Sequence, residues 1–458
     1  MWRRLTLALG LSLLWVPCAR AQAPARAAVP ATAALDAARQ VITDVYKADY
    51  EVAKTPIARQ ALAKKMYDDG LKTADDPAAQ FTLLQIARKV AAQAGDVDLA
   101  YAVAEAAARE FKVSAAQLQA EALTDAADSL RSPQDHYFFG RYADRLLPQL
   151  RRAAHWTEAK KLAELAETSA KKSRDADLAK VWRDHKIELG QLQQAYDAVA
   201  PALVELEKSP ADAMLNETAG KLNCFLLEAW TTGLPMLALG QDPALQQAAE
   251  RELRAPTALA DKLALADAWH EIGKEQTGPV QRAIFRHAYQ LYRDVLPNLE
   301  GLAKAKVQVR ADECFMQGMP DRVVLAAIKP ASYDVPYTGD SVVIPVKVNG
   351  RVFLDSFNGH PPSDGASRIV YELPGECKYL IGMCAFQDMK DDRPHNPARF
   401  IIVGTTGELW RSPALQDTGK LTPFKVDLKG QKRIELLVHC DGFNGASHAA
   451  WIEPQLQK

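Results

Sequence analysis

The stretch FKVDLKGQKRIELLVHCDGFNGASHAAWIEPQL, residues 424–456, decides the class of the C-terminal third of the chain. Three runs rich in apolar and β-branched residues, FKVDL, RIELLVHC and HAAWIEPQL, are broken by short Gly-containing segments. Asp441-Gly442 and Asn444-Gly445 are turn formers, with Gly supplying the positive φ that a tight reversal needs. The same texture extends upstream through SVVIPVKV, SRIVYEL, KYLIGMCAF and ARFIIVG, each bounded by Gly, Pro or Asp/Asn. Seven or more short strands in roughly 120 residues, with no helix between them, predict a β-sandwich or jelly roll.

Ahead of residue 316 the character changes. Ala, Leu, Lys, Glu and Gln dominate, and apolar residues recur every three or four positions, as in FTLLQIARKVAAQ and VDLAYAVAEAAAREF; this is the period of amphipathic helices. Breaks such as TADDPAA, AGDVD, RSPQD and KSPAD cut the region into antiparallel helix pairs. Asp76 before Pro77 and Ser209 before Pro210 read as N-terminal caps. The expected organisation is a signal peptide over 1–23, an all-α domain over 33–315, a linker over 316–334 and an all-β sandwich over 335–458 that folds alone.

With 56 Lys and Arg against 57 Asp and Glu, the formal net charge is -1. No global field recruits phosphate backbones, so nucleic acid is not an expected partner. The start of the chain joins Arg3 and Arg4 to an apolar run from Leu5 to Val16 and small-x-small sites ending at Ala21 and Ala23, the parts of a cleaved secretory signal. The run falls short of the roughly 20 residues that span a bilayer, and no later segment is long and apolar enough, so a secreted or periplasmic protein without a membrane span is expected. Without Cys18 five cysteines remain, Cys224, Cys314, Cys377, Cys384 and Cys440. Cys377 and Cys384 share one strand-like run, where seven residues at about 3.3 Å each exceed disulfide reach. No spacing suits zinc.

ADAWHEIGKEQTGPVQRAIFRHAYQLYRDVLPNL resembles a tetratricopeptide repeat, with Trp269, Ile272 and Gly273 at its opening, Tyr289 at the later aromatic position and Pro297 at its close. Phe285 and Tyr292 stand where such a repeat wants small residues, which implies helices farther apart or in another register. The run from GLPMLALGQDP onward is similar to helical segments of secreted bacterial proteins of unknown role.

Residues 335–458 resemble the NPCBM family, carbohydrate-binding modules attached to glycosyl hydrolase family 98 and many other secreted proteins. His360 with Ser363 or Ser367 matches a His-x-x-Ser segment, Ile381-Gly382 the start of V-G-x-D-D, and Leu409, Trp410 and Ser412 the hairpin D-G-x-x-L-W-x-S; His448 and Trp451 match H-A-D-W. The resemblance implies a galactose-binding-like jelly-roll sandwich that binds galactose-containing glycans. Cys384 and Ala385 replace the two Asp of V-G-x-D-D, Thr405 and Thr406 replace the hairpin's Asp-Gly, and Ala450 replaces the Asp of H-A-D-W. These changes remove carboxylates that would orient sugar hydroxyls or hold calcium.

Sugar recognition wants an aromatic face and a few fixed donors and acceptors. Trp410 and Trp451 are candidates for the first, and His360, His439, Asp441, Asn444 and His448 for the second. Alternation places Trp451 with Ala449 on one face of the last strand, where a Trp also serves to plug a sandwich core. The loop DMKDDRPHNP, Asp388 to Pro397, suits a structural calcium or a solvated hairpin; no other cofactor is expected. His270-Glu271 opens like a zinc-protease helix, but Lys274 stands where the second His belongs. No catalytic motif is present. The expected protein is a secreted, non-enzymatic glycan binder whose helical domain is a platform for protein partners. One alternative is an interaction scaffold whose sandwich has lost sugar binding, and another is an accessory part of a glycoside hydrolase system.

Overall fold

The computed structural model describes residues 26–388, 396–440, 442, 444–445 and 447–458. The expected signal peptide lies outside the described residues. The helical region comprises α1 (Thr32–Val52), α2 (Pro56–Lys72), α3 (Pro77–Gln93), α4 (Val97–Glu110), α5 (Ala115–Ala127), α6 (Pro133–Arg152), α7 (Trp156–Lys172), α8 (Ala176–Lys208), α9 (Ala213–Lys221), α10 (Trp230–Leu237), α11 (Pro243–Leu253), α12 (Leu259–Lys274), α13 (Gly278–Val295) and α14 (Gly301–Gly318). The helix starts are set by short polar side chains. Asp76 accepts from Ala78 and Ala79 N–H at 3.0 Å each, and Ser132 and Asp135 form a capping box ahead of α6. Ser209, expected as a cap, instead ends α8, and Asp212 caps α9 by accepting from the N–H of Leu215 at 2.9 Å.

The tetratricopeptide-like pair is α12 and α13. Phe285 enters not by spreading the helices but by lying against Gly273, where a Cβ would meet its ring at 2.8 Å. Trp269 donates to Glu252 at 2.7 Å, and Tyr292 to Asp267 at 2.7 Å. His270 is buried against Glu313 at 3.0 Å, a structural pair.

The C-terminal part contains β1 (Arg322–Val324), β2 (Ser332–Asp334), β3 (Val343–Val348), β4 (Arg351–Asn358), β5 (Ala366–Glu372), β6 (Tyr379–Phe386), β7 (Ala398–Gly404), β8 (Gly407–Arg411), β9 (Thr422–Asp427), β10 (Arg433–Cys440) and β11 (Ala449–Gln457). They form two antiparallel sheets, β3-β4-β11-β6-β9 with β1 also on β11, and β2-β5-β10-β7-β8. The expected all-α plus all-β sandwich architecture is present. Residues 316–334 are not a free linker: they hold the end of α14 and the two strands β1 and β2, which pair with β11 and β5.

Trp451, Phe400, Phe424, Val438 and Leu436 fill the space between the sheets. The outer face of the first sheet is covered too. Phe138 of α6 joins one buried cluster with Val346, Val348, Phe353, Met383, Ala385, Ala450 and Ile452, and the Phe138 and Phe353 ring centroids lie 4.9 Å apart. β11 is therefore buried from Ala449 to Leu456 without alternation. Bulges in β4 and β11 turn Asp355 and Glu453 toward the same helix. Arg141 Nε donates to Glu453 at 3.1 Å, Arg145 donates to Asp355 at 2.7 Å, and Arg145 also reaches Glu453. Glu453 sits at φ 44, a left-handed conformation costing about 1 kcal/mol or more in a non-Gly residue. Arg322 makes a two-pronged pair with Asp175 at 2.9 Å. The sandwich expected to be self-contained thus shares a charged, largely buried interface with the helices.

Candidate functional site

The end of the sandwich where β4, β10 and β6 finish and β5 and β11 begin gathers most of the candidate polar residues. Asn358, the last residue of β4, ties three segments together: its Nδ2 donates to Pro336 O at 3.1 Å and its Oδ1 accepts from His360 N at 3.1 Å. Gly359 follows because nothing larger fits. A Cβ there would lie 2.9 Å from Val438 Cγ2 and 3.3 Å from Ala449 O, and its N–H donates to that same carbonyl at 2.9 Å. Ser367 Oγ donates to Gly359 O at 3.0 Å, which gives the His-x-x-Ser resemblance a structural role in fixing the loop. Asn444 Nδ2 donates to Pro361 O at 3.0 Å, so this residue positions the loop through its own amide.

His360 is 6% exposed, with its ring centroid 5.4 Å from that of the exposed His448. Burial, and after it the neighbouring His448, holds the His360 imidazole below its ordinary value, against an opposing contribution from the Ser447 carbonyl. Its Nδ1 is buried without a hydrogen-bond partner among the described residues. Tyr337 stands edge-on to His360 at 4.9 Å and is 86% exposed. Its backbone is left-handed, at φ 60, rare for a bulky residue. An exposed aromatic ring thus adjoins the buried His360 imidazole, which in turn adjoins the exposed His448.

The remaining candidates lie elsewhere. Trp451 is fully buried, with Phe400 and Phe424 edge-on at 5.0 and 5.5 Å; it is a core residue and touches no solvent. Trp410 is half-buried on β8, 5.3 Å from the Phe424 ring, and extends the same core. His439 lies opposite Ala366 and Arg399 on β10, half-buried on the outer face of the second sheet. Asp441 is outside the described residues. Asp388 accepts from the N–H groups of Asn349 and Gly350 at 2.6 and 2.7 Å, capping the β3–β4 turn; residues 389–395 of the expected calcium loop lie outside the described residues. Among the described residues no three His, Cys, Asp or Glu side chains gather as a metal site. Tyr337 escapes a sequence reading because it falls at the edge of the expected linker; its signal is Pro336-Tyr337-Thr338-Gly339, a turn with an aromatic at its tip.

The positions that lost carboxylates are informative. Ala385 and Ala450 are direct cross-strand partners on β6 and β11, both fully buried in the cluster that Phe138 joins, and Cys384 is buried among residues of the sandwich core. Ala450 is also the cross-strand partner of Asn358, the residue that anchors the loop end.

No curated protein matches the chain detectably. Among solved structures, one of the M60 catalytic domain with the CBM51-1 and CBM51-2 domains of Clostridium perfringens ZmpB is similar at 19% identity and TM-score 0.26, over 30% of this chain and 15% of that one. A CBM51 from Clostridium perfringens GH95, in complex with methyl-galactose, is similar at 18% identity and TM-score 0.25, over 30% of this chain and 99% of that one. The family comparison covers the sandwich from just before β2 to the end of β11: residues 329–457 match the NPCBM/NEW2 domain, so this chain ends in an NPCBM/NEW2 domain.

Proposed function

We propose that the protein is a secreted, non-enzymatic glycan binder that holds a sugar at the loop end of its sandwich, with Tyr337 as the stacking face and His360 and His448 as hydroxyl partners. The observation that carries the reading is that the exposed Tyr337 ring and the exposed His448 imidazole both stand against His360, in a domain whose family is one of carbohydrate-binding modules. An apolar ring face takes the C–H side of a pyranose, and a neutral imidazole both donates and accepts. The helical region serves in this reading as a docking platform for protein partners. A shallow site with one ring and two imidazoles binds weakly; a Kd near 1 mM corresponds to about −4 kcal/mol, so firm attachment needs multivalent glycans.

The test is a glycan array on the full chain, followed by titration of the best binder with Tyr337→Ala and His448→Ala. Loss of binding at an unchanged thermal midpoint supports the assignment. Wild-type binding by both variants refutes it.

A further inference from the structure

The α7–α8 hairpin carries a charge surplus that the sandwich site does not use. Its stretch KKSRDADLAKVWRDHK, residues 171–186, contains Lys171, Lys172, Arg174, Lys180, Arg183 and Lys186 against three carboxylates, Asp175, Asp177 and Asp184. Folding engages two of the three. Arg322 of β1 takes both oxygens of Asp175 at 2.9 Å, and Lys425 of β9 approaches Asp177 at 3.6 Å. One further carboxylate faces the patch, Glu167, which is 7% exposed on α7. It pairs with Lys171 at 2.7 Å and Lys186 at 2.8 Å, with Arg183 at 3.7 Å. A single buried acid therefore organises three cations and balances only one. Surface lysines ordinarily lose side-chain entropy on meeting a ligand; two of these are already held.

Lys171, Arg174 and Arg183 line a groove of about 330 Å³ with Asp175, Ala176 and Ala179. The helices α3, α6 and α7 end in the same reversal: Asp96 N–H bonds Ala91 O at 2.9 Å, His155 N–H bonds Leu150 O at 2.9 Å, and Asp175 N–H bonds Ala170 O at 3.2 Å. The left-handed residue in these turns is Gly95 at φ 78, Ala154 at φ 53 and Arg174 at φ 62. Glycine is the unstrained choice there. At α7 the chain accepts strain and places a guanidinium on the groove, and Arg174 makes no ion pair among the described residues.

We infer that this groove is a second binding site, for the sulfate or carboxylate groups of an acidic polysaccharide. Guanidinium and ammonium groups fixed around a recess recognise such anions by charge-assisted hydrogen bonds. The lining offers no ring for stacking on a base and no large apolar side chain to enter a lipid surface. The site is independent of the sandwich end, so Tyr337→Ala leaves it intact.

The experiment titrates the full chain with dextran sulfate and with polygalacturonate, using neutral dextran as the control, and repeats the series with Arg174→Gly and with Lys171→Ala/Arg183→Ala. Expected are binding of at least one acidic polymer that weakens as salt rises, no response to neutral dextran, and about tenfold weaker binding by Arg174→Gly, in line with one lost charged hydrogen bond. Because glycine suits the left-handed turn, that variant melts no lower than wild type, which separates lost recognition from lost folding. Wild-type affinity in Arg174→Gly, equal binding of neutral dextran, or tighter binding to phosphatidylglycerol vesicles or duplex DNA overturns the inference.

Discussion

Replacing Arg141 by Ala tests whether the helices and the sandwich are one folding unit. The Arg141 side chain is 6% exposed and touches Glu453 at 3.1 Å, Asp144 at 3.0 Å and Asp355 at 3.4 Å. Glu453 is 2% exposed at its side chain, so it has no water to turn to. Removing one partner of a buried ion pair costs about 3–5 kcal/mol, because the other charge stays behind unpaired. Arg145 still contacts Glu453 and Asp355, which places the expected loss near the lower end, about 3 kcal/mol. That is more than a hundredfold in the folding constant. The measurement is urea unfolding of the full chain, followed by tryptophan fluorescence and far-ultraviolet circular dichroism, with the midpoint compared at constant slope. Arg141→Met combined with Glu453→Leu removes both charges and recovers most of the loss, since apolar replacement of a complete buried pair is close to neutral. Two separate transitions, with the helical one unmoved, or a loss below about 1 kcal/mol, would refute the shared interface.

Trp451→Ala removes the largest side chain between the sheets and is expected to destabilise the protein by about 3–5 kcal/mol, read as a lowered unfolding midpoint; a near-neutral result contradicts its core placement. Gly318→Ala puts a Cβ 2.6 Å from Arg286 N and 2.9 Å from Phe285 C, backbone atoms that cannot step aside, and is expected to cost about 1–3 kcal/mol by the same measurement. His136 and His360 are both held below their ordinary values, chiefly by burial. The unfolded chain therefore takes up protons near pH 6.5 before the native protein does, and their contribution to stability, full above that pH, falls as the pH drops toward 5. A His136→Asn/His360→Asn variant should show a flatter dependence between pH 7.5 and 5; a dependence as steep as wild type refutes the linkage.

The fold classes were legible because each rests on a local period. Strands β5, β6, β7, β9, β10 and β11 fall close to their sequence runs, since each has bulky apolar residues bounded by turn formers. β4, RVFLDSFN, carries Asp355 in its middle, which hides it from a pattern-based reading. That carboxylate is answered by Arg145, 210 residues away, and such a partner leaves no trace in a local window. β1 and β2, three residues each, are too short to show a period and exist because β11 and β5 offer them edges. The helix caps follow the same logic: Asp76 caps α3 as its sequence suggests, while Ser209 loses that role to Asp212, which stands closer to the next apolar turn.

The candidate site was legible in residue type and less so in placement. His360, Asn444 and His448 do converge, because the order of strands brings the ends of β4 and β10 beside the start of β11. Trp451 and Trp410 have the residue type of a sugar platform, yet they share Phe424 as a neighbour in the core; only the register of β6, β9 and β11 settles that. Burial of both faces of β11 also changes the meaning of the missing carboxylates. An Asp at 385 or 450 would stand directly opposite its cross-strand partner inside the buried cluster that Phe138 joins, where an unpaired charge costs several kcal/mol. Alanine at both places suits the buried cluster that α6 joins on this sheet, and at 450 it also stands opposite Asn358 at the loop end. Ala385→Asp should accordingly unfold or loosen the helix–sandwich contact without creating a sugar contact, a distinction read by the unfolding midpoint on one side and glycan affinity of the folded fraction on the other.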